Sequence, residues 1–370
     1  KPNISAIVGE LYPEGGARRD GGFTIFYMGI NLGAFFGQLV TGILGEKVGW
    51  HYGFGAAGVG MLFGLFWFYF RGPQTLGNVG EKVQDITPKE ERQIKTGLWS
   101  FLLLLVVVSG LAISGLIEIK AEILARNMSY VMAIIAVIYF FYVFVFGKLN
   151  GQEKKRVAVI LVLFLFSMIF WAAFEQAPTS LNLFAADFTN RYIFGWEMPA
   201  LWFQSFNSFF IIALAPLFAA MWSTLSNKGI SMSSPFKFSL ALGFTAIGFA
   251  IMIFAANIVV DGGGLVKVSA LWLITSYFFQ TVGELFLSPV GLSSMTKLAP
   301  KKFSGQMMGV WFLATAMGNL IAGIVGGQVD PEKLDQMPAL FTQTTLSLGI
   351  AALVLLMLVK PIQKMMNGDH

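Results

Sequence analysis

Segments of about 20 mostly apolar residues recur along the chain and are separated by shorter polar stretches. Because a hydrocarbon core of roughly 30 Å is crossed by about 20 helical residues, each such segment predicts one membrane-spanning helix. The stretch 1–13 has the pattern expected for the end of a further helix. Ten full spans are predicted, at 22–45, 53–71, 97–118, 129–147, 156–185, 200–225, 234–258, 267–297, 303–327 and 339–360.

The loops between these spans alternate between many and few basic residues. Eighteen Lys and Arg residues fall on one side of the membrane and six on the other, the six being Lys47, Lys120, Arg126, Arg191, Lys267 and Lys333. Because basic loops stay in the cytoplasm, the asymmetry predicts a multi-pass protein of the inner (plasma) membrane with the Lys/Arg-rich loops inside. Topology thus explains the net charge of +5, and no nucleic-acid partner is expected.

Composition excludes several classes of chemistry. Only 12% of the residues are charged, against about 25% in soluble domains, which agrees with a membrane protein. Cysteine is absent, so disulfides and thiolate metal sites are excluded, and the only histidines are His51 and His370. An imidazole zinc site and a Ser-His hydrolase are therefore not expected, because neither histidine lies inside an apolar span. We predict no enzyme activity and no metal site.

The spans fall into groups that predict the domain organisation of an all-α polytopic membrane protein. Residues 1–71 are expected to end an N-terminal helical bundle. Residues 72–155 combine a polar cytoplasmic linker (72–96) with two additional spans that have almost no internal polar group and are expected to face lipid. Residues 156–370 supply a complete six-helix bundle. Since Lys1 is not a methionine, we expect a longer protein whose N-terminal bundle is incomplete in this chain.

Two lone carboxylates are the leading functional candidates. Glu284 is the only charged residue from Val268 to Thr296, and Glu175 lies in a polar part of the span 156–185 that also contains Pro178. An ionised carboxylate in hydrocarbon is costly, so such acids usually face a bundle interior and handle protons, ions or charged substrates. A structural ion pair is the alternative for Glu175. Proline removes a backbone donor, so Pro178 is expected to bend its helix.

Other polar residues at helical spacing extend the candidate site. Tyr27 and Asn31 lie one turn apart on one helix face, and Asn207 lies in a later span. For all three, an ordinary interhelical hydrogen bond is the competing interpretation. Ser288 follows Glu284 by one turn and precedes a proline, which predicts a bent or broken helix. Trp311 offers a flat surface either for apolar ligand groups or for helix packing.

Five motifs together make the chain resemble the proton-coupled oligopeptide transporters of the major facilitator superfamily. They occur in order along essentially the whole chain: KPNIS, FYMGINLGA, FEQAPTSLNLFA, WFQSFNSFFIIALAPLFA and FFQTVGELFLSPVGLSSMTKLAP. The resemblance implies a major facilitator fold of two six-helix bundles, with two extra helices between them as in bacterial members. The family's first-helix motif with acidic residues and arginine is not in this sequence, so its residues are not assigned.

The resemblance also implies roles for residues at matching positions. Peptide binding is expected from Lys1, Tyr27, Asn31, Asn207, Glu284, Ser288 and Trp311. Lys1 matches a lysine associated with proton coupling and the peptide carboxylate, whereas Glu284 with Ser288 matches the site for the peptide amino terminus. Glu175 matches the acid implicated in protonation, so the expected proton-coupling residues are Glu175, Lys1 and Glu284. Asp187 matches an extracellular gate partner.

The sequence therefore predicts a proton-coupled symporter that imports di- and tripeptides by alternating access, with the peptide termini held between Lys1 and Glu284. A peptide zwitterion needs opposite charges at its two ends, which suits this pair. Protons are the coupling ion and no cofactor is expected; the partners are peptides, protons and membrane lipids, and we expect a monomer. Two alternatives stay open: a major facilitator transporter of another small solute, such as nitrate or a sugar, and a non-transporting membrane scaffold or sensor.

Overall fold

The protein is described by a computed structural model that consists almost entirely of α-helices. It describes residues 4, 7–8, 11, 16–77, 79, 87–118, 120–230, 232–327, 333 and 336–367. The helices are α1 Gly16–Ile43, α2 Trp50–Leu76, α3 Pro88–Ile113, α4 Ala121–Phe146, α5 Gly151–Phe174, α6 Asn182–Phe188, α7 Trp202–Asn227, α8 Ser234–Asp261, α9 Ala270–Leu298, α10 Ser304–Gly326 and α11 Gln336–Asn367.

Shorter elements connect these helices. Two π-helical turns occur at Leu44–Val48 and Ala177–Leu181, and a 3₁₀ turn at Lys301–Phe303. The strands have two residues each: β1 Thr189–Asn190, β2 Tyr192–Ile193, β3 Trp196–Glu197 and β4 Val268–Ser269. β1 pairs in parallel with β4, and β2 pairs antiparallel with β3.

The ten predicted spans are confirmed. Within the described residues, ten helical segments are long and apolar enough to cross a membrane, and each overlaps one predicted span. The helices extend further than the apolar pattern at the predicted linker 72–96, because α2 continues to Leu76 and α3 already begins at Pro88. A capping box at Thr87 and Glu90 explains that start, since each residue accepts a hydrogen bond from the other's backbone N–H. A second box, Asn150 with Glu153, starts α5 in the same way.

The chain divides into two compact units. One contains Lys1–Ile30 and Phe54–Leu124, and the other contains Asn31–Gly53 and Ala125–His370. In the first unit, α3 has no buried residue along its whole length. In the second unit, one face of α4 is buried in the core through Ala136, Phe140 and Val143.

The core of the second unit is built by the helices from α5 onward. α8 packs along α9 and α11, while α5 packs along α10. Large fully buried side chains, including Phe170, Phe249 and Phe341, fill the space between these helices. Gly318 allows α10 to approach α5 closely, because a Cβ atom there would collide with Trp171. This close approach positions the residue that follows, Asn319, which is important for the site described below.

At the bend predicted for Pro178, the regular α-helix is locally interrupted within the span Gly151–Phe188. α5 ends at Phe174, Glu175 and Gln176 form a turn, and the π-helical turn with Pro178 leads into α6. The Gln176 side chain is buried at the break, where its Nε2 donates to Thr344 Oγ1 (3.2 Å) and its Oε1 accepts from Ser180 Oγ (3.0 Å). The Nε2 group also donates to the backbone oxygen of Ala172 (3.4 Å), so the side chain satisfies one backbone acceptor at the interruption.

Replacing Gln176 with leucine is expected to destabilise this break. The variant leaves the buried Ser180 hydroxyl without its acceptor, and an unsatisfied buried polar group costs about 1–3 kcal/mol. We expect the melting temperature in detergent to fall by about 5 °C. Thr342→Val is the control, because the Thr342 hydroxyl bonds Pro338 O within its own helix (2.7 Å). A Gln176→Leu variant that melts at the wild-type temperature would show that the network adds nothing to stability.

A bent or broken helix was predicted beside Ser288, and the helix is not broken there. α9 continues through Pro289 as one helix from Ala270 to Leu298. Proline removes one backbone hydrogen bond from a helix. In a membrane bundle, neighbouring helices often satisfy the freed backbone group, so the helix can continue.

Candidate functional site

Glu284 lies at the centre of a polar contact between α7 and α9. Its side chain is half-buried, and Asn207 Nδ2 donates to Glu284 Oε2 over 3.0 Å. The same Nδ2 group donates to Thr281 Oγ1 over 3.1 Å, and the Thr281 hydroxyl donates to the backbone oxygen of Tyr277 over 2.7 Å. The carboxylate therefore has a fixed amide donor from a neighbouring helix.

This arrangement has a direct chemical consequence for Glu284. An amide donor orients a carboxylate and stabilises its charged form, but unlike Lys or Arg it does not cancel the charge. A carboxylate can bind a primary ammonium group through a charge-assisted hydrogen bond. Asn207 and Glu284, predicted separately from the sequence, are brought into direct contact here.

Glu175 lies at the helix break between α5 and the π-helical turn. It is the C-terminal capping residue of α5 and is half-buried. Asn319 on α10 approaches Glu175 with its side-chain amide. In the amide orientation that gives both the oxygen and the nitrogen suitable partners, the nitrogen donates to Glu175 Oε1 (3.2 Å) and to Thr315 O (3.0 Å). The Glu175 carboxylate thus accepts a hydrogen bond from an amide of α10 at the point where α5 ends.

The predicted residues of α1 occupy one helix face in the structure. Tyr27 and Asn31 are one turn apart; Tyr27 is half-buried and Asn31 is buried. Both side chains have interactions with other groups of the protein. The competing interpretation, an interhelical hydrogen bond, thus stays open for these two residues.

Two residues predicted to bind substrate lie in well-packed surroundings. The Ser288 hydroxyl, one turn after Glu284, is buried and has no hydrogen-bond partner among the described residues. Trp311 is 3% exposed, stands edge-on to Phe238 with ring centroids 6.2 Å apart, and covers Gly291 so closely that a Cβ there would collide with the ring. A role for Trp311 in lining a peptide pocket stays a prediction.

The remaining two predicted residues take no part in the geometry just described. Lys1 lies outside the described residues, so its predicted charge role has no structural counterpart here. Asp187 is exposed near the end of α6, without a hydrogen bond or ion pair to any other described residue. Its assignment as a gate partner remains a prediction from the resemblance.

Two polar residues of this region were not singled out by the sequence reasoning: Thr281 and Asn319. Thr281 precedes Glu284 by three residues, so helical spacing alone places it on the same face. Asn319 is an amide inside an apolar span, and the rule that intramembrane polar residues need partners could have identified it. No group of three His, Cys, Asp or Glu side chains that could hold a metal ion occurs among the described residues.

Comparison with known proteins supplies independent information. The family model described as "POT family" matches residues 1–340. The peptide transporter YePEPT of Yersinia enterocolitica is 44% identical over 378 residues, covering 100% of this chain and 73% of that protein. A di-/tripeptide transporter of Lactococcus lactis is 33% identical, with coverage of 100% and 73%. The crystal structure of peptide transporter POT in complex with sulfate aligns with a TM-score of 0.88 and 37% identity over 99% of this chain and 73% of that chain.

Proposed function

The chain belongs to the POT family of peptide transporters, and on that premise we propose that it imports di- and tripeptides together with protons by alternating access. It is a multi-pass membrane protein and a transporter, not an enzyme. The observation that carries the finer proposal is the half-buried Glu284 carboxylate, held by the neutral amide of Asn207. A carboxylate at this position of an otherwise apolar helix is suited to bind an ammonium group.

We assign Glu284 to the amino terminus of the peptide. A di- or tripeptide has a constant ammonium and a constant carboxylate, whereas its side chains vary. Recognition that tolerates many side chains therefore depends on the termini, and a charge-assisted bond from ammonium to carboxylate is the strongest contact available at one end. Lys1, outside the described residues, keeps its predicted role toward the peptide carboxylate.

Asn207→Leu is expected to weaken peptide binding about tenfold. The variant removes the donor to Glu284 Oε2 but keeps the charge, and a hydrogen bond to a charged group contributes about 1.5–3 kcal/mol. Competition binding with a labelled dipeptide measures the change. Gln204→Leu, one turn earlier on α7, is the control, because the Gln204 amide bonds Asn182 Oδ1 (3.4 Å) instead.

Both variants remove one amide from the same helix face, so their comparison isolates the contact with Glu284. We expect the control to bind within about twofold of the wild type. Equal losses in the two variants would mean that Asn207 acts only as a structural polar residue of α7.

We assign proton exchange to Glu175. Burial disfavours the charged form of a carboxyl group, and a helix interruption leaves room for the side chain to change its partner. The described donor to Glu175 is the neutral side-chain amide of Asn319. Protonation could then bias the equilibrium between the two access states.

The other proposed roles follow from the resemblance. Tyr27 and Asn31 are proposed to hydrogen-bond the peptide backbone. Ser288 is proposed to assist Glu284, and Trp311 is proposed to line the pocket for the apolar part of the peptide. Asp187 is proposed as an outer gate partner. We further propose a monomer in the inner (plasma) membrane, with the Lys/Arg-rich loops cytoplasmic.

Uptake by proteoliposomes containing the full-length protein tests the function. With an inward proton gradient we expect accumulation of a labelled dipeptide and acidification of the lumen that depends on the dipeptide. Nitrate and sugars should neither be taken up nor compete. Uptake of one of these solutes without dipeptide uptake would contradict the proposal. Dipeptide uptake at the same rate with and without the proton gradient would also contradict it.

A further inference from the structure

A second polar cluster lies away from Glu284 and Glu175, in the second compact unit. It is supported by the short hairpin formed by β2 and β3. The two residues at its tip, Phe194 and Gly195, both have positive φ (49° and 81°), as a two-residue type I′ hairpin requires. The hairpin places Arg191 opposite Met198, and the guanidinium donates to Met198 O and to Glu197 Oε1 (2.8 Å).

Glu46 joins this cluster from the π-helical turn after α1. Its two carboxylate oxygens accept the backbone N–H groups of Ala200 and Leu201, each over 3.0 Å, directly before α7 begins. Arg191 Nη1 lies 3.5 Å from Glu46 Oε2, and the two side chains are only 11% and 20% exposed. An anion at the start of a helix is stabilised by unpaired N–H groups and by the helix dipole, and Arg191 adds an opposite charge.

A second contact forms at Leu39 of α1, about two helical turns before Glu46. Trp202 Nε1 donates to Leu39 O over 3.0 Å. The indole ring also lies against Gly42, where a Cβ atom would be 3.0 Å from the ring. Segment 39–46 is thus held to segment 191–202 by a carboxylate, an indole donor and a glycine that permits close approach.

We propose that the Glu46 carboxylate is a latch that holds the outer side of the transporter closed. This rests on the proposed function and on the predicted domains, which place Glu46 in the N-terminal bundle (1–71) and α7 in the C-terminal bundle (156–370). The latch contacts are among those that join segment 31–53 to the second compact unit in this structure. The predicted topology puts both segments on the non-cytoplasmic side. Contacts between two bundles on one side must break when that side opens.

The chemistry of the latch explains why it can work as a switch. Opening exposes the carboxylate, the guanidinium and two backbone N–H groups to water, which can hydrate all of them. The closed state is therefore favoured by a modest free energy instead of being locked. The Glu46 contact therefore shifts the ratio of the outer-closed state to the outer-open state without preventing transport.

A single cysteine can report on the latch, because the chain contains none. Ala200 is 3% exposed beneath the contact, so Ala200→Cys introduces one small, covered thiol. We expect Glu46→Gln to raise the rate at which a membrane-impermeant maleimide labels this thiol from outside by about tenfold, which corresponds to about 1.4 kcal/mol. Arg191→Gln is a second test variant, with an increase of about threefold expected, because it leaves both backbone N–H bonds to Glu46 in place.

Two further variants separate the latch from a general effect of surface charge. Lys47→Gln changes the neighbouring residue, whose pair with Glu197 is longer (3.7 Å) and more exposed, and we expect labelling within about twofold of the reference. The double variant Glu46→Arg/Arg191→Glu is expected not to restore slow labelling, because a cation cannot accept the N–H groups of Ala200 and Leu201. Full restoration would overturn the helix-start contact as the basis of the latch.

Dipeptide uptake by the same preparations keeps the latch distinct from the proposed function. If Glu46→Gln and Arg191→Gln label at the reference rate while dipeptide uptake persists, the latch is wrong and the transport proposal stands. If labelling rises as expected but the wild type does not take up dipeptides, the latch stands and the substrate proposal fails. Size-exclusion chromatography of each variant in detergent confirms that the compared proteins are folded.

Discussion

Replacing Glu284 with glutamine is expected to reduce dipeptide uptake about 100-fold. Glutamine has nearly the same shape and can still accept the hydrogen bond from Asn207, so the variant removes the charge and little else. Loss of one partner from a desolvated charge pair costs about 2–5 kcal/mol, and about 2.7 kcal/mol corresponds to 100-fold. Initial uptake rates in proteoliposomes at equal protein density measure the effect.

The preference for a free amino terminus provides a sharper test of the same residue. The wild type should bind a dipeptide far more tightly than its N-acetylated form, whereas Glu284→Gln should bind the two within about threefold. Asp261→Asn is the matched control, since Asp261 is an exposed acid at the end of α8. A Glu284→Gln variant that keeps the wild-type preference would show that another group recognises the peptide ammonium.

Replacing Glu175 with glutamine is expected to abolish uphill accumulation while leaving exchange intact. A glutamine side chain can still bond Asn319 but cannot carry a proton, so peptide movement loses its link to the gradient. One charge moved through about 100 mV provides roughly 2.3 kcal/mol, or about fiftyfold accumulation, and the variant should reach only equal concentrations inside and outside. Proton-driven uptake and counterflow measured in parallel separate the two properties.

Counterflow needs both access states and a peptide site but no net proton movement. We therefore expect Glu175→Gln to exchange labelled for unlabelled dipeptide within about threefold of the wild-type rate. Asn319→Leu is an informative companion, because it removes the donor to Glu175 and keeps the titratable group. Wild-type accumulation by Glu175→Gln would assign the coupling proton to a different residue.

Much of the fold could be predicted because its signals are local. All ten spans were found from runs of apolar residues, since the bilayer demands a nearly constant length of apolar helix. Helix boundaries were less accurate, as at Leu76 and Pro88, where helical polar residues extend past the apolar run. Hydropathy indicates which residues contact hydrocarbon. Helical hydrogen bonding can continue past these residues, so the apolar run ends before the helix does.

Prolines and glycines illustrate what the sequence could not decide. Pro178 accompanies a true helix break, whereas Pro289 lies inside an unbroken helix. Glycine positions alone do not show where helices approach closely: no described atom lies within 4 Å of a Cβ built at Gly33 or Gly37 of α1. Gly42 makes the close approach instead, because Trp202 happens to lie against it.

The sequence by itself determined that this chain is a polytopic helical membrane protein, that Glu175 and Glu284 are its exceptional acids, and that its motifs resemble peptide transporters. These conclusions need only composition, periodicity and charge along the chain. The tertiary structure alone decided that Asn207 bonds Glu284, that Asn319 bonds Glu175 and that Glu46 caps α7. Such contacts join residues far apart in sequence, and they depend on the rotation and depth of packed helices, which no local pattern specifies.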